Sequence, residues 1–146
     1  MAITVQQITT EDTIAVRHPV LRKGRPREDC YFSGDENAGT FHLGVFDENK
    51  LVGVATFIEN KYSGLTGKQI QLRGMAVLEN YQGKGMGAQL LKKAEELILG
   101  KNIHIIWCNA RIIAVPFYEK LGFQKISEPF EIAPIGIHFV MYKKLT

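Results

Sequence analysis

The sequence predicts an α/β protein of the α+β kind, with one mixed, mostly antiparallel, twisted sheet and helices on both faces. Two observations predict this class. Short apolar or alternating runs, typical of strands, are interrupted by three helical segments, in the order β-α-loop-β-β-β-α-β-α-β-β. No internal repeat or linker is visible, and 146 residues is a usual length for one domain. We therefore expect a single domain over residues 1–146.

The N-terminal part predicts a strand, a helix and a loop. Residues 3–8, ITVQQI, alternate apolar and polar side chains, which is typical of a strand. The segment Thr9-Thr10-Glu11-Asp12 has the hydroxyl and acidic residues of a helix start. Pro19 should bend or shorten that helix. Its apolar face is predicted from Ile14, Ala15, His18 and Leu21. Residues 22–40 are polar and predict a loop or a short helical turn.

The pattern in the middle of the chain predicts three further strands and one helix. Residues 40–58 form two apolar runs around the polar turn DENK, which predicts a β-hairpin. Residues 69–78 predict the next strand, in which Gly74 indicates a bulge or a close approach to the backbone. The helix is predicted from Met86 to Leu99, with Gly100 as its stop. Its apolar stripe comprises Leu90, Leu91, Ala94, Leu97 and Ile98.

The C-terminal part predicts a short buried strand over residues 103–108, a helix that stops at Gly122, and a last strand over residues 135–145. The net charge of +3 is mild, and basic residues are scattered apart from a cluster over residues 22–27, so we expect no nucleic-acid partner. No apolar run is long enough for a membrane span, and the N-terminus lacks a signal-peptide pattern.

The cysteines and histidines predict neither disulfides nor a metal site. Cys30 and Cys108 are far apart, and reduced thiols in the cytoplasm are therefore the expectation. No Cys and His residues are spaced as metal ligands usually are, so we expect no metal. Cys30 lies beside two acidic residues, which raise rather than lower a thiol pKa, so a nucleophilic role is not predicted.

The segment ENYQGKGMGAQLL, residues 79–91, predicts a phosphate site. Three glycines, at 83, 85 and 87, lead into a helix that begins near Met86 without a Ser, Thr, Asp or Asn cap. Its first N–H groups lack side-chain partners, and bare backbone lets them surround an anion near the positive end of the helix dipole. Lys84 adds a positive charge at the same place.

Two common phosphate motifs fit this segment poorly. A Walker motif needs Lys-Ser or Lys-Thr, which is absent here. Gly83, Gly85 and Ala88 satisfy the dinucleotide pattern G-x-G-x-x-A, but four residues separate the strand end at Leu78 from the first glycine. The following strand also ends in Cys108-Asn109, without an acid for a ribose hydroxyl.

The residues Gln82-Gly83-Lys84-Gly85-Met86-Gly87 resemble the Q/R-x-x-G-x-G/A signature of the GNAT superfamily of N-acetyltransferases. The preceding RGMAVLENY is similar to that family's bulged fourth strand, and the segment from Ala114 to Phe123 resembles its second landmark, near the acyl thioester. The resemblance spans roughly residues 40–145 by element order. It implies the acyl-CoA N-acyltransferase fold, in which two parallel strands, here 69–78 and 103–108, splay apart around the thioester.

The resemblance also implies where acetyl-CoA binds. The pyrophosphate is expected on the N–H groups of residues 83–88, and the pantetheine arm along residues 75–77 of the bulged strand. The resemblance implies that Asn109 pairs with pantetheine. Arg111 stands where the family commonly has an asparagine, so the CoA contact of that asparagine is not expected here. The implied cofactor-binding residues are Met75, Ala76, Val77, Gln82, Gly83, Lys84, Gly85, Met86, Gly87, Ala88, Asn109, Phe117 and Tyr118.

The implied chemistry is direct attack of an amine on the thioester in a ternary complex. Tyr118 matches the family's general acid, which protonates the departing thiolate. A backbone N–H near Val77 would hold the oxyanion. The general base is not identified by the sequence, and Glu79, His42 and His138 are the candidates.

The function predicted from these residues is acetyl transfer from acetyl-CoA to a primary amine, with a small-molecule acceptor favoured. The alternative is a non-catalytic acyl-CoA-binding or sensing domain on the same fold, which would not need the hydroxyl of Tyr118. The acceptor site is expected from residues 17–31 and 130–138, where the basic cluster over residues 22–27 would attract an acidic acceptor or the CoA 3′-phosphate. A homodimer is compatible with the sequence.

Overall fold

The computed structural model describes residues 2–146, in eight strands and three α-helices. The helices are α1 (Thr10–Leu21), α2 (Met86–Gly100) and α3 (Val115–Lys120). The strands are β1 (Ile3–Ile8), β2 (Phe41–Asp47), β3 (Lys50–Glu59), β4 (Ile70–Val77), β5 (Ile105–Arg111), β6 (Gln124–Lys125), β7 (Phe130–Ile132) and β8 (Gly136–Lys144). No helix within residues 2–146 has the length and apolar character needed to cross a membrane.

The strands form one mixed, mostly antiparallel sheet in the order β1-β2-β3-β4-β5-β8-β6, with β7 paired to β8. Strands β4 and β5 are parallel, with Ile70 opposite Ile106 and Gln71 opposite Trp107. β1 and β2 are antiparallel, and so are β5 and β8. The predicted α/β class with a mixed sheet is confirmed.

The chain divides into two compact units. The first unit comprises residues up to Ile58 together with Leu72–Leu97, and the second comprises Glu59–Gln71 with Ile98–Thr146. Strand β4 and helix α2 therefore each contribute residues to both units. The single domain over residues 1–146 stays a prediction.

Each unit has its own buried apolar residues. In the first unit, Phe41 and Phe57 stack with their ring centroids 5.0 Å apart, and Val16, Val54 and Ala76 form a buried cluster. In the second unit, the indole of Trp107 is buried and its Nε1–H donates to the carbonyl of Asn60 at 2.9 Å.

Helix α1 begins as predicted but buries a different face. The Thr9 hydroxyl accepts from the Asp12 N–H, and the Asp12 carboxylate accepts from the Thr9 N–H, which completes a capping box. The helix ends two residues after Pro19, at Leu21. Ala15, predicted to face the core, is exposed. The buried residues are Thr10, Thr13, Ile14, Val16 and Arg17.

The burial of Arg17 explains that error, because a charged side chain is not expected inside without a partner. Its guanidinium forms a bidentate pair with the buried carboxylate of Asp35, at 2.8 and 2.9 Å, and also donates to the Thr56 hydroxyl and the Cys30 carbonyl. Burial by itself would raise the pKa of Asp35, but the hydrogen bonds from Arg17 and from the Phe32 N–H outweigh it and lower that pKa. The polar loop after α1 is thereby fixed to the sheet.

Two element ends differ from the sequence prediction. The hairpin turn contains two residues rather than four, since Asp47 already pairs with Lys50, and Glu48 adopts a left-handed φ of 54°. Helix α2 includes Gly100, and the left-handed residue that follows it is Asn102, with φ 61°. Asparagine tolerates this conformation because its short side chain can hydrogen-bond locally, so the stop lies two residues later than predicted.

The C-terminal part contains more sheet than predicted. Strand β5 continues to Arg111, three residues beyond the predicted end, because its residues stay paired with β8 as far as His138. Helix α3 ends at Lys120, and Gly122, with φ 95°, is the predicted stop after it; the N–H of Phe123 returns to the Tyr118 carbonyl at 3.0 Å. The short strands β6 and β7 precede β8.

Candidate functional site

The bulge in β4 is built on Gly74, which lies in the first unit. Its φ is +59°, in the region that favours glycine, and a Cβ there would lie 2.7 Å from Cε2 of Phe32. Both the backbone conformation and the close contact with the Phe32 ring therefore require glycine at this position. The contact with Phe32 could not be foreseen, because the two residues are 42 positions apart and no spacing pattern links them.

The residues after the bulge alternate in exposure, as expected of a strand. Met75 and Val77 are half-buried, whereas Ala76 is buried in the apolar cluster with Val16 and Val54. The side chain of Gln82 then donates from Nε2 to the carbonyl of Val77 at 2.9 Å. This bond ties the glycine segment to the end of β4.

The glycine segment is an open loop of backbone. Gly83 has φ +74° and Gly85 has φ +84°, and a Cβ at either would meet nothing within 4 Å. Both conformations favour glycine. The open space beside the two residues leaves the loop accessible to a ligand.

Helix α2 starts directly from this loop. The N–H of Gln89 donates to the Gly85 carbonyl at 3.1 Å, which makes Gly85 the residue that caps the helix without a side chain. The N–H groups of Met86, Gly87 and Ala88 therefore have no acceptor within the helix. These three donors, at the positive end of the helix, can bind an anion.

A positive charge lies at the same loop. The Lys84 side chain is exposed, and its ammonium lies 5.8 Å from the centroid of the Tyr81 ring. The Tyr81 hydroxyl donates to the Asp47 carboxylate at 2.7 Å, and this hydrogen bond raises the pKa of Tyr81. The ring that supports Lys84 is thus held in place from β2.

Tyr118 lies in the second unit, on α3, and is buried with 8% of its surface exposed. Its hydroxyl interacts with the thiol of Cys108 on β5, and this neighbour contributes to the pKa of each group. Burial, and then the neighbouring Cys108, raise the pKa of Tyr118 well above its usual value, and burial raises the pKa of Cys108 to about 12. Both groups are therefore protonated at neutral pH.

Aromatic rings hold Tyr118 on two sides. Phe117 meets it edge-on at 5.1 Å between centroids, and Phe123 lies 5.3 Å away. The interaction between Tyr118 and Cys108 was not predicted from the sequence. The thiol lies on a strand, and the spacing of residues along the chain does not show which residue of that strand lies beside Tyr118. The only signal was that Cys108 falls in an apolar strand next to Asn109.

Asn109 is exposed within β5, opposite Val140, and does not end the strand as predicted. The continued pairing with β8 is the reason, and Arg111 is the residue that ends β5, also exposed. The side chains of both residues are accessible to a ligand.

The three candidates for a general base differ in their availability. The ring of buried His42 has both nitrogens engaged, since Nε2 must donate to the Asp35 carbonyl, and Nδ1 then accepts from the Thr56 hydroxyl at 2.7 Å. His138 is buried and has Nδ1 2.8 Å from the Gly136 carbonyl. Glu79 is exposed, and it lines a pocket of about 600 Å³ in the first unit.

Comparison with known proteins identifies the family. Residues 5–123 match the model of the acetyltransferase (GNAT) family. The chain is also 40% identical over 144 residues to the uncharacterized N-acetyltransferase YitI of Bacillus subtilis, covering 98% of this chain and 97% of that protein. The chain belongs to the GNAT family. It is an acetyltransferase, and acetyl-CoA is the acetyl donor that this family uses.

Solved GNAT structures agree in fold and differ in acceptor. An aminoglycoside 6′-N-acetyltransferase complexed with coenzyme A superposes with a TM-score of 0.77 at 13% identity, covering 98% of this chain and 97% of that one. The ribosomal-protein-S18-alanine N-acetyltransferase of Escherichia coli gives a TM-score of 0.75 at 17% identity, with 99% and 95% covered. One of these relatives is named for a small-molecule acceptor and the other for a protein, so the GNAT fold leaves the acceptor open.

Proposed function

We propose that this GNAT protein transfers the acetyl group of acetyl-CoA to the primary amine of a small molecule, by direct attack in a ternary complex. The observation that carries the proposal is the open glycine loop, with its left-handed Gly83 and Gly85, that leads into the uncapped start of α2. A loop of this kind has no packing purpose that needs so much bare backbone, whereas a diphosphate uses all of its free N–H groups.

The first unit would hold the donor. The backbone N–H groups of residues 83–88 bind the diphosphate, with Lys84 adding charge. The pantetheine arm lies along Met75, Ala76 and Val77, and Gln82 acts by fixing the strand end to the loop through its bond to the Val77 carbonyl. A backbone N–H near Val77 would supply the oxyanion contact.

The second unit would supply a hydrogen-bond donor for the leaving group. Attack forms a C–N bond and breaks the C–S bond, so one proton must leave the amine nitrogen and one must reach the thiolate. The hydroxyl of Tyr118 keeps its proton at neutral pH and donates it in a hydrogen bond to the CoA sulfur. Phe117 and Asn109 would contact the thioester and pantetheine.

The acceptor must lose a proton before it attacks. A lysine-like amine with a pKa of 10.4 is neutral in only about 1 molecule in 2,500 at pH 7, a free-energy penalty of about 4.6 kcal/mol. We propose that Glu79 receives this proton through water, since its carboxylate is exposed and lines a pocket. His42 is a poorer choice because both of its ring nitrogens already have partners.

The small number of residues outside the acetyltransferase core favours a small acceptor. Beyond the elements of the acetyltransferase core, residues 22–40 form a long loop, and a standard protein interface takes about 20–30 residues a side. A small pocket needs only a few polar groups. Both cysteines are free and buried, which suits a reducing cytoplasm.

The test measures CoA thiol release from acetyl-CoA with a panel of small primary amines and with peptides that carry a free lysine or N-terminal amine. We expect at least one small amine to exceed every peptide in kcat/KM. A peptide far ahead of all small amines would overturn the small-molecule assignment. Binding of acetyl-CoA without thiol release from any acceptor would favour a sensing domain instead.

A further inference from the structure

The basic cluster over residues 22–27 does not act as one patch. Arg25 pairs with Asp29 at 2.8 Å, and Arg27 pairs with Glu11 at 2.9 Å, so acidic neighbours neutralise both on the surface. Arg22 differs from them. It is half-buried, and its guanidinium lies 5.0 Å from the centroid of the Phe32 ring.

A second arginine reaches the same ring from the sheet. Arg73 precedes the bulge residue Gly74 in β4, and its guanidinium carbon lies 5.8 Å from the Phe32 centroid. It donates from Nη1 to the Ser33 carbonyl at 3.1 Å. Within residues 2–146, neither Arg22 nor Arg73 forms an ion pair with a carboxylate.

The carboxylate of Asp35, which accepts from the Phe32 N–H at 2.8 Å, is already engaged. Arg17, with its guanidinium carbon 4.0 Å from the Phe32 centroid, takes both carboxylate oxygens of Asp35. Arg22 and Arg73 are thus two uncompensated, half-buried cations beside one aromatic ring. Charges that are partly removed from water interact more strongly with an oppositely charged group, so an anion at this ring would be favoured.

Arg22 and Arg73 lie close to the strand segment that is proposed to bind pantetheine. The Phe32 ring lies directly against Gly74, since a Cβ there would be 2.7 Å from Cε2. The next residue, Met75, begins the stretch proposed for pantetheine. An anion held by Arg22 and Arg73 would therefore lie beside the bulge at Gly74.

We propose that Arg22 and Arg73, supported by Phe32, bind an anionic group of the acceptor, so that the acceptor is a small primary amine that also carries a carboxylate or a phosphate. The inference rests on the proposed amine acetylation. Arginine suits both anions because its planar fork can donate two parallel hydrogen bonds.

The experiment compares matched amines in the thiol-release assay. One set of pairs compares amino acids with their amides and tests for a carboxylate. The other pair compares 2-aminoethyl phosphate with 2-aminoethanol and tests for a phosphate. We expect the anionic member of at least one pair to have a kcat/KM at least tenfold higher. Neutral amines that react as well as the anionic ones would overturn the inference and leave amine acetylation intact, whereas no turnover with any amine would overturn the proposed function itself.

Variants then assign the effect to residues. Arg22→Gln and Arg73→Gln should each raise KM for the anionic acceptor at least tenfold, with KM for acetyl-CoA unchanged and with the neutral partner unaffected. Arg27→Gln, which removes an equal charge from the same loop, is the matched control and should change neither KM by more than about twofold. A rise in KM for acetyl-CoA alone would contradict the proposal, because the two arginines would then bind a CoA phosphate.

Discussion

At the scale of single residues, the environment of Tyr118 decides what its hydroxyl can do. A pKa well above that of a thiol makes complete transfer of its proton to a CoA thiolate unfavourable, since an ordinary thiol has a pKa of about 8.5. The hydroxyl therefore stabilises the thiolate mainly as a hydrogen-bond donor. Hydrogen bonds to charged groups are worth about 1.5–3 kcal/mol.

Tyr118→Phe tests this role. The phenylalanine ring keeps the contacts with Phe117 and Phe123 and loses the hydroxyl alone. We expect kcat to fall about 10–150-fold, the equivalent of one charged hydrogen bond, with the Kd for acetyl-CoA nearly unchanged. Steady-state kinetics and calorimetry measure the two quantities. Tyr142→Phe, on β8, is the control, and equal kcat values for the two variants would remove Tyr118 from the chemistry.

At the scale of elements, the first turn of α2 can be changed by mutation without altering the two loop glycines that have positive φ angles. Gly87 lies inside the helix, whereas Gly83 and Gly85 have positive φ angles that a substitution would strain. A side chain at Gly87 therefore tests the proposed anion site at a position that does not have a positive φ.

Gly87→Leu should raise the Kd for CoA at least tenfold, because the side chain would occupy space beside the free N–H groups of the first turn. Gly100→Leu is the matched control at the other end of the same helix, where a Cβ would meet nothing within 4 Å. Calorimetric titration with CoA measures both variants, and circular dichroism checks that both fold. Equal affinities would contradict the location of the diphosphate.

The sequence predicted local features at this scale and missed those that depend on distant partners. The Thr9 cap, the uncapped start of α2, the stop at Gly122 and the unusual Gly74 follow from conformational preferences of neighbouring residues, and the structure has each of them. The true end of β5 depends on its pairing with β8, and the buried face of α1 depends on Asp35. Such pairings between remote segments leave no periodic signal in the chain.

At the scale of the whole molecule, the raised pKa values predict loss of stability in alkali. For Cys108, the pKa of about 12 in the folded protein exceeds the ordinary thiol pKa of 9.0, so the unfolded chain ionises first as pH rises. The stabilising contribution is complete below pH 9 and is lost progressively as pH rises towards 12. The slope for one such group is about 1.4 kcal/mol per pH unit.

Urea denaturation at several pH values between 8 and 11, followed by circular dichroism, measures this slope. Cys108→Ser keeps a polar partner for Tyr118 but does not titrate, so its free energy of unfolding should fall less steeply with pH. Parallel slopes for the variant and the unmodified protein would contradict the assigned pKa. A single transition at each pH would also support one cooperative domain.

The chain contains one tryptophan, and its place in the second unit has a spectroscopic consequence. Trp107 is buried on β5, with Nε1–H bonded to the Asn60 carbonyl and the ring 5.6 Å from that of Tyr62. Its fluorescence therefore comes from a single, water-shielded indole. The next residue in the strand is Cys108, the partner of Tyr118. Emission from this one residue reports on the strand that carries that pair, without any introduced label.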